Sequence, residues 1–212
     1  MKLLSINVGL PREIEWEGET VLTSIFKEPV WGRVPVRSLN LAGDQQSDLT
    51  VHGGRDKAVY TYPSEHYAYW RRELPEMEFP WGAFGENLTT VGLLEDAVYI
   101  GDRLRIGSAE FTVTQPLMPC FKLGIRFGRP DMVKRFLASG RSGFYLAVLR
   151  EGEIGAGDAV EIVARDEQRI TVAEVNRLYT ADDGEQDLLR RVSELPGLSA
   201  RWQERFRKRL KT

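Results

Sequence analysis

From Met1 to about Val163, apolar and β-branched residues come in short runs that glycine, proline and aspartate interrupt at close intervals. Runs this short suit strands better than helices, and turns this frequent favour antiparallel neighbours, so the pattern predicts a barrel or sandwich. The expected strands are Leu3 to Val8, Val21 to Lys27, Val34 to Leu39, Ala58 to Tyr62, Arg103 to Ile106, Glu110 to Gln115, Phe144 to Leu149 and Ala159 to Val163. Gly101-Asp102 and Gly157-Asp158 each precede a strand. They read as structural turns, with glycine supplying the unusual φ and aspartate bonding the neighbouring backbone.

Two helices interrupt this region. Pro63-Ser64 opens one that runs through Leu74 and carries Tyr67, Trp70 and Leu74 at helical spacing, and Pro130 opens another that stops at Gly140. After Arg165 the texture changes. Thr171 and Glu174 form a capping-box pattern, Pro196-Gly197 breaks the region, and Ser199 can cap a last helix holding Trp202, Phe206 and Leu210. The division expected is a mostly β domain over 1–165 and a small helical subdomain over 166–212, which suits a chain of 212 residues with one main core. The last helix also carries Arg201, Arg205, Arg207, Lys208 and Arg209. A solvated face whose charge complements the helix dipole is the favoured reading of that cluster over a phosphate site.

Lys and Arg total 29 against 31 Asp and Glu, a formal net charge of -2, so nothing draws the chain as a whole to nucleic acid or an acidic membrane. The N-terminal apolar run is too short for a signal segment and no run of about 18 apolar residues occurs, so a cytoplasmic location without a membrane partner is expected. One cysteine allows no internal disulfide, and with two histidines it builds no ordinary zinc site. Cys120 therefore reads as a free thiol.

Three segments could carry chemistry. Gly43 to Lys57 reads GDQQSDLTVHGGRDK; Gly53-Gly54 would let backbone approach a ligand, while His52, Arg55 and Lys57 supply donors. The same run could be a tight turn with internally paired charges, and the loop alone leaves both readings open. Gly82 to Gly92, GAFGENLTTVG, offers Asn87 as both acceptor and donor beside the permissive Gly85, but by itself is a loop rich in turn formers. Gln115 to Leu123, QPLMPCFKL, sets Cys120 after two stiffening prolines, with Lys122 near enough to lower its pKa. A thiolate there suits a soft metal ligand, although a lone cysteine can equally be a small buried hydrophobe. Local signatures for a hydrolase using His52 or His66 are lacking, phosphate-loop and dinucleotide motifs are absent, and Asp182-Asp183 reads as a solvated turn.

Taken together and in order, HGGRDKAVYTYPSEHY, FGENLTTVGL and QPLMPCFKL resemble the molybdenum cofactor sulfurase C-terminal, or MOSC, domain. The likeness is strongest to small stand-alone bacterial members that detoxify N-hydroxylated bases such as 6-hydroxylaminopurine. It extends to SIFKEPV at Ser24 to Val30, to Gly43-Asp44-Gln45 and to the helical tail. The resemblance implies a MOSC-type β-barrel followed by a small C-terminal helical subdomain, with a cleft for the molybdenum cofactor, molybdopterin. Cys120 would be the metal ligand, with Lys27 and Asn87 as cofactor contacts. His52, Asp56 and Lys57 match the family loop as cleft residues, His52 and Asp56 standing beside Cys120 as candidate catalytic groups and His52 and Lys57 as further cofactor contacts.

The implied activity is molybdenum-cofactor-dependent reduction of N-hydroxylated compounds to amines. Electrons would come from a separate reductase, because no flavin, haem or iron-sulfur motif is visible, and the family implies a homodimer. The alternative is a sulfur or molybdenum-cofactor carrier acting through Cys120. A binding module without chemistry is a third reading, which Leu117 favours, since similar proteins usually carry arginine there; Ser24 stands where glycine is common among them.

Overall fold

In the computed structural model, which describes residues 1–48, 53–180 and 185–210, the chain opens with strands β1 (Lys2–Val8), β2 (Arg12–Trp16), β3 (Glu19–Thr23), β4 (Glu28–Val30), β5 (Arg33–Arg37) and β6 (Asn40–Leu41). A 3-10 turn at Arg55–Lys57 leads into β7 (Val59–Pro63), helix α1 (Glu65–Glu73) and β8 (Leu88–Val91). Next come β9 (Arg103–Ile106), β10 (Ala109–Pro116), α2 (Phe121–Phe127), α3 (Met132–Ser139), β11 (Phe144–Arg150), β12 (Gly152–Gly155) and β13 (Val160–Ala164). Helices α4 (Val172–Thr180), α5 (Gln186–Ser193) and α6 (Ala200–Leu210) follow.

Alternation along the strands decides which face is buried. On β9, Leu104 and Ile106 are buried while Arg103 and Arg105 face solvent. On β10, Ala109, Phe111 and Val113 point inward. Eight strands form one sheet in the order β13-β9-β10-β11-β7-β8-β1-β4. Its pairs are antiparallel except β7 with β8, whose connection passes through α1. The sheet also curls back on itself. Leu3 N–H donates to the Asp158 carbonyl at 2.9 Å, Gly157 N–H to Leu3 at 2.8 Å and Val160 N–H to Met1 at 3.1 Å, so β1 meets the start of β13 and closes a barrel. A smaller sheet, β12-β5-β6, and the β2-β3 hairpin stand beside it.

The barrel interior and the C-terminal helices share one continuous core. Leu3, Phe111 and Leu146 belong to the same cluster as Val175, Val192 and Phe206. Backbone bonds reinforce the junction, Ile100 N–H to Ile170 at 2.9 Å and Val172 N–H to Val98 at 3.0 Å. A second, aromatic core lies under α1, α2 and α3, where Trp70 is fully buried and donates its indole N–H to the Tyr62 hydroxyl at 2.7 Å.

The expected punctuation is largely present. Gly101 and Gly157 adopt φ of 93° and 98°, and the following aspartates accept from Tyr99 N–H at 3.0 Å and Gly155 N–H at 2.8 Å. Thr171 and Glu174 cap α4 reciprocally, at 3.0 and 2.7 Å. Ser199 differs from expectation, because its hydroxyl is buried without a partner and it receives the Trp202 N–H through its carbonyl at 2.9 Å instead. The strand expected over Val21 to Lys27 stops at Thr23, and in the segment that leaves the hairpin Ser24, Ile25 and Lys27 border the site described next. Among the described residues, no helix is long and apolar enough to cross a membrane.

Candidate functional site

Cys120 is where β10 hands over to α2. Its backbone is extended, φ -120° and ψ 175°, and it occupies the position before the first turn of the helix, with its thiol half-buried. Burial pushes the thiol pKa up. The backbone N–H of Lys122, the Lys122 ammonium and the N–H of Leu123 pull it down without offsetting that cost, so the lowering expected from Lys122 is real but outweighed. Alkylation of Cys120 by iodoacetamide should therefore accelerate only above the pH range of an ordinary thiol. Lys122→Met should move that rise higher still, and a pH-rate profile matching a free cysteine would contradict this.

Two cavities meet at Cys120. The inner cleft, counted together with the space open to solvent, spans about 740 Å³ and is bordered by Ser24, Ile25, Lys27, Asn87, Leu117, Cys120, Lys122 and Tyr145. The outer cavity shares Lys57, Met118, Cys120, Lys122 and Tyr145, and reaches across to α6. Lys57 thus stands at the junction of both, its ammonium 6.0 Å from the Tyr145 ring centroid. Burial holds its pKa below the usual lysine value, with the Arg201 charge acting in the same direction and Cys120 and Asp56 opposing.

Lys27 is buried and in direct contact with the Asp44 carboxylate. Burial lowers its pKa and Asp44 raises it back in part. Asp44 is itself fixed: Gly9 N–H donates to one oxygen at 2.9 Å and the Asn87 amide donates to the other at 2.9 Å. Asn87 then accepts from Tyr60 N–H at 3.0 Å and donates to the Asn7 carbonyl at 3.3 Å. Although Asn87 borders the cleft, its amide is used within the protein, so it positions Asp44 and through it Lys27.

The loop that presents Asn87 is held from below by Glu86, which is fully buried and accepts from Gly82 N–H at 2.9 Å, Phe84 N–H at 3.1 Å and Thr89 hydroxyl at 2.9 Å, as well as from Tyr67. Burial raises its pKa against these donors. Gly82, at φ 85°, must be glycine here because a Cβ would lie 2.9 Å from the Lys27 carbonyl.

Of the residues singled out from sequence, Cys120, Lys27, Lys57 and Asn87 border the inner cleft. Asp56 is not among the residues lining either cavity; its backbone carbonyl accepts from Thr114 at 2.6 Å, and its charge acts on Lys57. His52 lies outside the described residues, as does Asp182-Asp183. His66 pairs with Glu95 at 2.8 Å. It lines neither cavity. Sequence reasoning passed over Glu86 and Tyr145. Tyr145 alternates on β11 with buried Phe144 and Leu146, a signal that marks an opposite face without saying what that face meets.

Residues 48–161 match the family model described as the MOSC domain. The chain belongs to the MOSC family. Residues 170–212 match a second model, the YiiM-like 3-alpha helix domain. YflK of Bacillus subtilis (strain 168) is 40% identical over 207 residues, covering 98% of this chain and 93% of that protein. The crystal structure of YiiM from Geobacillus stearothermophilus superposes with a TM-score of 0.83 at 37% identity, covering 99% of this chain and 98% of that one. A protein of Gibberella moniliformis (strain M3125 / FGSC 7600) described as a reductase is 33% identical over 197 residues, covering 92% of this chain but 35% of the fungal protein.

MOSC domains are associated in general with molybdenum cofactor binding. Whether these residues suit such a group can be tested on the cleft itself. The Ser24 hydroxyl borders the MOSC cleft and is buried with no partner, a polar atom that a ligand would satisfy. Lys27, Lys57 and Lys122 supply cations for a phosphate, and Cys120 supplies a soft ligand. The residues fit the group.

Proposed function

We propose that this protein reduces N-hydroxylated compounds, N-hydroxylated purine bases among them, to amines with a molybdenum cofactor seated in the inner cleft. The observation that carries the reading is the half-buried Cys120 thiol at the meeting point of a cation-lined cleft and a second cavity. The reductase description of the fungal relative supports the same reaction class.

The cofactor supplies the two-electron redox chemistry. This chain's own residues bind and orient. Cys120 would bond the metal, Ser24 and Lys27 would meet the polar edge of the pterin or its phosphate, and Lys57 and Lys122 would hold negative charge beside the thiolate. Tyr145 keeps its phenolic proton, because burial and the nearby Cys120 push its pKa well above neutrality, and it can donate that proton in a hydrogen bond at the mouth of the cleft. In the overall reaction the N–O bond breaks, two electrons from a separate reductase and two protons are consumed, and the amine and one water are released.

The test is turnover. Protein produced with its molybdenum cofactor and given a reductant should convert N-hydroxylated adenine to adenine over many cycles. A carrier acting through Cys120 would instead give no catalytic amine formation, and that result would overturn the reductase reading.

A further inference from the structure

Phe26 belongs to neither hydrophobic core and lines neither cavity, although Ser24, Ile25 and Lys27 around it all border the inner cleft. Two cations meet its ring instead. The Arg12 guanidinium, from the start of β2, lies over it with Cζ 3.6 Å from the centroid, and that of Arg126, from α2, lies over it at 5.3 Å. Among the described residues, neither arginine forms an ion pair.

Ser24 to Lys27 lie outside every strand, between β3 and β4. The N–H groups there bond locally: Ile25 N–H donates to the Thr23 hydroxyl at 3.2 Å, and Lys27 N–H to the Ile25 carbonyl at 3.0 Å. A segment bonded so locally takes its position from its side chains. Lys27 is tied to Asp44, and Phe26 to Arg12 and Arg126.

For packing alone, Arg126 is a poor choice. It is half-buried, and its Nε is buried with no hydrogen-bond partner. Burial, with the Arg12 charge acting in the same direction, holds its pKa below the usual arginine value against Glu86, Tyr67 and Glu28. Methionine would keep the apolar stem and remove both penalties. What methionine lacks is the planar guanidinium, which fixes the plane of the ring and its separation from α2. Cys120 stands immediately before that helix, so the same contact relates the thiol to the Ser24 hydroxyl and the Lys27 ammonium.

We propose that Arg126 is a positioning residue: through Phe26 it ties the segment of Ser24 and Lys27 to the helix that Cys120 precedes, and so sets the width of the inner cleft that retains the cofactor. The assignment rests on the cofactor seat argued above and adds the stack that holds two of its walls in register.

Full-length wild type, Arg126→Met, Arg126→Lys, Phe26→Leu and Phe26→Tyr are purified from cells making the cofactor. Molybdenum per chain is measured before and after serial dilution. On cofactor-free protein, the urea midpoint and the rate of Cys120 alkylation by iodoacetamide are measured, the latter across pH so that altered access is told from a shifted titration. Arg126→Met should retain the metal about 10- to 100-fold more weakly, the range for partners that orient metal ligands. Its urea midpoint should equal or exceed that of wild type, because an unpaired charge and an unsatisfied donor are gone. Phe26→Leu should lose retention likewise, and Phe26→Tyr, which keeps the ring face, should match wild type. Arg126→Lys keeps the charge without the plane and should resemble Arg126→Met. In the cofactor-free forms of the weakened variants, Cys120 should be alkylated faster at every pH.

Wild-type retention in Arg126→Met, Arg126→Lys or Phe26→Leu would overturn the proposal, the lysine result by assigning the residue to charge alone. A urea midpoint that falls in step with the molybdenum content would overturn it too, by making Arg126 a packing residue. Wild type without molybdenum would sink the cofactor seat, whereas unchanged alkylation in the variants would sink the stack as a positioning device.

Discussion

Replacing Asp44 by alanine should destabilise the fold by about 3–5 kcal/mol, the usual cost of removing one member of a buried ion pair. Lys27 and Asp44 expose only 9% and 1% of their side chains, so water cannot take the place of the missing carboxylate. The same change strips partners from Gly9 N–H and from the Asn87 amide, each at 2.9 Å. Domains of this kind have about 5–15 kcal/mol in total, so the variant should be marginal. The double variant Lys27→Met/Asp44→Leu should recover the part of the loss that comes from an unpaired buried charge, while the Gly9 N–H and the Asn87 amide stay without their partner. The pH dependence has a defined sign. Burial holds the folded-state pKa of Lys27 below its unfolded value, so the unfolded chain binds more protons between the two, and stability should rise with pH through that window. Asp44→Ala removes the group that raises the Lys27 pKa, which widens the window downward. Urea midpoints measured across pH check both claims, and an Asp44→Ala midpoint within error of wild type would contradict them.

Cys120→Ser should abolish turnover on N-hydroxylated purines, by more than about 100-fold, since even the outer partners of metal ligands cost 10- to 100-fold when removed. Serine keeps the size of the side chain and the backbone at the start of α2, but offers a harder and far less acidic donor. Folding should be nearly untouched, as the thiol is only half-buried and lies outside both hydrophobic cores. Equal urea midpoints with lost activity would separate a ligand from a packing residue. Retention of wild-type kcat would instead show that the metal does not depend on this sulfur.

How far the sequence carried this account differs between the barrel and its edges. Strands such as β1, β9 and β10 were legible because one face is buried and the apolar residues alternate. β2 was not, and β3 was read only from Val21 onward, since Arg12, Glu13 and Glu19 are exposed and the turn between them is made by Glu17 and Gly18 at φ 52° and 84°. Helix α2 escaped notice because it is one short segment interrupted by Gly124, whose missing side chain admits the Arg129 carbonyl at 3.0 Å from where a Cβ would stand.

The site divides in the same way. Cys120 between prolines and the Gly82–Gly92 loop were visible as unusual residue runs. What Asn87 does was not, because its partners Asp44, Tyr60 and Asn7 come from three separate segments brought together only by the barrel. Asp56 shared a motif with Lys57 but lines neither cavity, since adjacent residues in a 3-10 turn project in different directions. The basic stripe on α6 read as surface, and Arg201, Arg205, Arg207 and Lys208 are indeed exposed; that its first turn also borders the cavity beside Cys120 is set by the fold and by nothing local to the helix.

The central claim is that one sulfur atom ties the metal of a pterin cofactor to this fold. Molybdenum per chain, measured by mass spectrometry on wild type and Cys120→Ser purified side by side from cells making the cofactor, tests it most directly. Near-stoichiometric metal in wild type and no more than traces in the variant is the expected result; equal molybdenum in the two proteins would contradict it.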